Sequence, residues 1–64
     1  MDVLERIRDQ LAKSPYYEIR TVQVHLDNES IVLTGYVSCF YVKQLAQEAA
    51  RFHGISIDNR LWVR

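Results

Sequence analysis

Three observations predict an α+β fold, a two-layer sandwich with two helices on one face of a three-stranded mixed sheet. Hydrophobic periodicities follow one another in the order helix, strand, strand, helix, strand. Each strand is apolar at alternate positions, so one sheet face needs cover and the other faces water. Ala46, Ala50 and Gly54 recur four apart, which gives the second helix a narrow face of small side chains that can lie close to a sheet.

In the first helix, Val3, Leu4, Ile7, Leu11 and Ala12 fall on one stripe between about Asp2 and Lys13. Asp2 is the expected N-cap or first-turn acid, and Ser14-Pro15 the stop, because proline lacks the amide donor and pushes its predecessor out of helical geometry. Val22, Val24 and Leu26 then alternate with Thr21, Gln23 and His25 as a strand. Asp27-Asn28-Glu29-Ser30 is the turn, with Asn28 best suited to a left-handed backbone. The return strand sends Ile31, Leu33, Gly35 and Val37 inward and Val32, Thr34 and Tyr36 outward, completing an antiparallel hairpin.

Ser38 is the expected N-cap of the second helix, whose apolar band comprises Val42, Leu45, Ala46, Ala49, Ala50 and Phe52. His53 falls in its last turn and Gly54 is its expected terminator. The last strand faces Ile57, Asn59, Leu61 and Val63 inward and Ser56, Asp58, Arg60 and Trp62 outward. Neither repeats nor linkers interrupt this pattern, so residues 1–64 read as one domain.

Composition narrows the function classes. A chain of 64 residues hides only about 60% of the surface its unfolded form exposes, leaving little room for a deep catalytic cleft. Eight basic residues balance eight acidic ones. A phosphate-backbone binder commonly uses about 6 to 10 cations, and the scatter of Arg6, Lys13, Arg20, Lys43, Arg51 and Arg60 works against gathering them on one side. One cysteine excludes an internal disulfide. The start of the chain is amphipathic and acidic rather than a secretion signal, and no apolar run reaches the roughly 18 residues of a membrane span. A cytoplasmic location is expected if the chain is a complete product.

These residues together resemble the BON domain, a family named from bacterial osmotic-stress and nodulation proteins. The resemblance spans almost the whole chain: Arg6-Ile7 and Leu11; Val22, Val24 and Leu26; Ile31, Leu33, Gly35 and Val37 at alternate positions; Ala46, Ala50 and Gly54-Ile55; and Ile57, Asn59 and Leu61. The chain departs from the family pattern at Glu29, where a glycine is usual, and in the short segment Gly54–Ile57, one residue shorter than usual. The resemblance implies a non-catalytic module that contacts phospholipid membranes or partner proteins, with no catalytic motif or cofactor to carry over.

The candidate binding residues are Tyr36, Trp62, Arg60, His25 and Val32, all assigned to the outward sheet face. Two readings of Tyr36 and Trp62 stand: an interface anchor, or a cross-strand pair that shields a thin sheet. Cys39 at a helix N-terminus would have its thiolate favoured by the helix dipole, but His25 lies in a strand and His53 about 20 Å down the helix at 1.5 Å per residue. No catalytic residue and no metal site is expected. Gly35 reads as room for a helix alanine or as a bulge, and Asn59 as a satisfier of neighbouring backbone groups. The leading expectation is a binding or assembly module contacting a protein or another copy of itself through the open face or an edge strand. Membrane-surface binding is the second, and single-stranded nucleic acid stacked on the face is the third.

Overall fold

In a computed structural model describing residues 2–52 and 54–64, the chain forms three helices and a mixed sheet. The helices are α1 (Val3–Ala12), α2 (Tyr17–Arg20) and α3 (Phe40–Ala49); the strands are β1 (Gln23–Asp27), β2 (Ser30–Thr34), β3 (Tyr36–Val37), β4 (Ser56–Asn59) and β5 (Trp62–Val63). Strand β2 is central, antiparallel to β1 and parallel to β4. Beyond Gly35 the same two chain segments pair again as β3 and β5, also parallel.

Leu33 pairs with Asn59 and Tyr36 with Trp62, so the register is preserved across the interruption. Arg60, Trp62 and Arg64 donate their N–H groups in turn to the carbonyls of Leu33, Gly35 and Val37. The two ladders are one parallel ribbon with a local break. On one side of the break Gly35 takes φ 137°, a conformation costly for any residue with a Cβ. On the other, Asn59 Oδ1 accepts from Leu61 N–H at 3.1 Å, an Asx turn that bends the strand. A Cβ at Gly35 would lie 3.6 Å from Leu61 and 3.9 Å from the Val22 backbone, not against a helix alanine as expected. Backbone conformation rather than space requires the glycine.

One cluster forms the core: Ile7 and Leu11 from α1, Ile19 from α2, Val24, Ile31, Leu33 and Val37 from the strands, Val42 and Ala46 from α3, with Ala50 and Leu61. The three helices therefore cover the same sheet face. Asp2 caps α1 as expected, accepting from Leu4 N–H at 3.3 Å.

Several local expectations are corrected. α2 was not anticipated, because Tyr-Glu-Ile-Arg contains one apolar residue and no periodicity, yet it buries Ile19. Cys39, not Ser38, occupies the N-cap of α3 and makes no side-chain capping bond. The Ser38 hydroxyl donates instead to Glu18 Oε2 at 2.9 Å and ties α2 to the end of β3. α3 closes at Ala50, so Phe52 lies beyond it and Gly54, φ 82°, belongs to a turn in which Ile55 N–H donates to the Phe52 carbonyl. His53 lies outside the described residues. Leu26, expected on the buried face, is exposed at the end of β1.

The hairpin turn is two residues long, since Asp27 pairs with Ser30. Asn28 and Glu29 both adopt positive φ, 49° and 68°, the twisted geometry that joins antiparallel strands. Asn28 tolerates it readily; Glu29 holds it at a cost of roughly 1 to 2 kcal/mol.

Candidate aromatic contact surface

Alternation along the strands places His25, Val32, Tyr36, Asp58, Arg60, Trp62 and Arg64 on the face opposite the helices. They do not form one uniform surface. Val32, on the central strand with His25 beside it on β1 and Asp58 beside it on β4, is 1% exposed. Its assignment as a contact residue is corrected: a short side chain on the central strand, with a longer register neighbour on each side, leaves almost no surface. His25 is exposed on the edge strand β1.

Arg60 is also exposed, but its guanidinium is held by Asp58, with Nη2 at 2.7 Å and Nε at 2.8 Å from the same carboxylate oxygen. That carboxylate, with a smaller contribution from Asp27, keeps Arg60 above its ordinary pKa. Two acids on the face thus answer its nearest cation.

Past Gly35 the sheet is only two strands wide. Tyr36 and Trp62 are register partners there, 57% and 70% exposed. The Arg64 guanidinium lies 4.2 Å from the centre of the Tyr36 ring, a cation–π stack that orients both groups. Next to them runs a groove whose one wall is α2, with Tyr17 and Glu18, and whose other is Tyr36 with Arg64. Arg20 sits over Tyr17 at 5.7 Å and donates to the Ser14 carbonyl at 2.8 Å.

Further rings are exposed besides the two the sequence singled out. Tyr17, Phe40 and Tyr41 are all well exposed, and Tyr16 is partly so. The neighbouring Tyr41 hydroxyl raises the Tyr16 phenol above its ordinary value. Tyr16 and Tyr17 stand at the start of α2, Phe40 and Tyr41 at the start of α3, and Tyr36 and Trp62 at the start of β3 and β5. The positions of Tyr16-Tyr17, Tyr36 and Phe40-Tyr41 beside chain turns were visible in the sequence, but the meeting of Tyr17 with Tyr36 in one groove depends on α2, which was not.

Both sheet edges are partly closed by the chain's own side chains. Arg8 Nη2 donates to the Val24 carbonyl at 3.1 Å along β1. On the opposite edge the Asx turn occupies Leu61 N–H, while Asn59 Nδ2 donates to the Lys43 carbonyl at 3.1 Å and Gln47 Oε1 at 3.2 Å, fastening α3 to β4. Asn59 therefore satisfies backbone groups as expected. Such plugs remove pairing groups from an edge that a foreign strand would need.

Cys39 is a free, exposed thiol at the head of α3. Among the described residues no group of three or more His, Cys, Asp or Glu is arranged to hold a metal ion, and no helix is long and apolar enough to cross a membrane. Comparison with protein-family models, with curated proteins and with solved structures finds no match to this chain.

Proposed function

We infer that this domain is a binding and assembly module whose contact surface is the Tyr36, Trp62 and Arg64 patch, and that its partner is a protein. The observation that carries this reading is the side-by-side exposure of two large aromatic rings with an arginine stacked on one of them. Tyr, Trp and Arg are the side chains that dominate binding energy at protein interfaces. Burying Trp62 alone removes about 150 to 250 Å² of surface, on the order of 4 to 6 kcal/mol before the costs of association. Arg60 precedes Trp62 on the same face at the margin of this surface, whereas His25 and Val32 belong to the three-stranded half before Gly35. The BON resemblance belongs to the same reading, because it implies a non-catalytic module.

Immobilised domain and its Trp62→Ala variant, exposed to the same protein mixture, test this. The native surface should retain protein that the variant does not, and equal retention would remove the patch from the function.

A membrane surface is the second reading, favoured by the gathering of Tyr, Trp and Arg at one end, side chains whose amphipathic bodies settle at a lipid–water boundary. Co-sedimentation with vesicles of increasing anionic lipid content would distinguish it. Single-stranded nucleic acid is the weakest of the three, since Asp27 and Asp58 on the same face repel a phosphate backbone.

A further inference from the structure

We propose that the aromatic end of the molecule recognises a second copy of this chain, the two copies meeting about a two-fold axis with Arg64 of each against Glu18 of the other; this inference rests on the contact-surface reading above and names the partner. Glu18 and Arg64 line one groove, Glu18 with Tyr17 from α2 and Arg64 with Tyr36. Neither belongs to an ion pair among the described residues. Among the described residues the Glu18 carboxylate accepts the Ser38 hydroxyl at one oxygen, and the Arg64 guanidinium lies over the Tyr36 ring, a fork of donors suited to a carboxylate. In a two-fold contact residue i meets j and j meets i, so a surface bearing one unpaired cation and one unpaired anion is complementary to itself.

Area and charge point the same way. Tyr17 and Tyr36, both more than half exposed, line the same groove as Glu18 and Arg64, and Trp62, 70% exposed, is the register partner of Tyr36; exposed rings side by side are apolar surface that a partner can cover. The chain has zero formal net charge, so copies approach without long-range repulsion. The plugged edges at Val24 and Leu61 make strand addition the poorer route to the same assembly.

Charge exchange tests the geometry. Sedimentation velocity from micromolar to near-millimolar concentration should take the native protein from monomer towards dimer. Glu18→Arg and Arg64→Glu, each checked for native circular dichroism, should each weaken dimerisation by at least about tenfold, because each places like charges together. The double variant, and a one-to-one mixture of the two single variants, should regain the dimer. A native protein that stays monomeric throughout, exchanged charges that fail to restore association, or mass growing past the dimer would each overturn the proposal. If the native protein is monomeric yet retains protein in a Trp62-dependent manner, self-recognition falls and the contact surface stands; if Trp62→Ala changes neither, both fall.

Discussion

Val32 and Tyr36 lie four residues apart on the same segment, point to the same side of the sheet, and differ in exposure from 1% to 57%. Local periodicity treats them alike. Their environments differ because Val32 has a strand on each side, with His25 and Asp58 in register, whereas Tyr36 has only Trp62. The width of the sheet, three strands before Gly35 and two after it, decides which outward side chains remain available. The outward side chains are thus shielded by their neighbours in the middle of the sheet and stay exposed where the sheet narrows.

The largest effect expected is on the wide half, which carries the core. Leu33→Ala removes a side chain with no exposed surface and should destabilise by about 3 to 4 kcal/mol. A domain of this length has only about 3 to 10 kcal/mol in total, so the chemical-denaturation midpoint should fall sharply. The comparison itself is sharpened by truncating its two outward residues. Val32→Ala should cost about 2 kcal/mol, as for a core valine, and Tyr36→Ala no more than about 0.5 to 1 kcal/mol, mainly the lost Arg64 stack. Equal costs would show that sheet width does not govern burial here.

Asn59 lies where the two halves meet. Asn59→Ala removes its bonds to Lys43, Gln47 and Leu61 and should cost about 1.5 kcal/mol. Amide exchange should show Leu61 N–H losing protection while that of Leu33 changes little. The smallest change lies farthest from the aromatic end: Glu29→Gly relieves a positive φ and should stabilise by about 0.5 to 1 kcal/mol. That corresponds to a rise of roughly 3 to 6 °C in Tm for a domain of this size.

The elements legible in the sequence were those with a period to detect. α1 shows its stripe and cap, β1 and β2 their alternation, and the Ala46 and Ala50 face of α3 its spacing. Asn59 was legible too, as a polar residue at an inward position of a strand that otherwise alternates. α2 was not, since four residues with one apolar side chain carry no periodicity and the turn is held by burial of Ile19 among distant residues. The end of α3 was placed too late because Phe52 continues the apolar spacing after the backbone has left the helix at Ala50.

Of the candidate surface, the outward direction of Tyr36 and Trp62 followed from strand parity alone. Their register, the Arg64 stack and the closure over Val32 required the strand order β1-β2-β4. By itself, then, the sequence determined the α+β class, the order of its main elements and which side of each strand faces the helices, because those follow from spacing between near neighbours. The tertiary structure alone decided the sheet order, the one-turn helix α2 and the side-by-side exposure of Tyr36, Trp62 and Arg64. Those depend on segments far apart in the chain, and burial is a property of what lies alongside a residue in space.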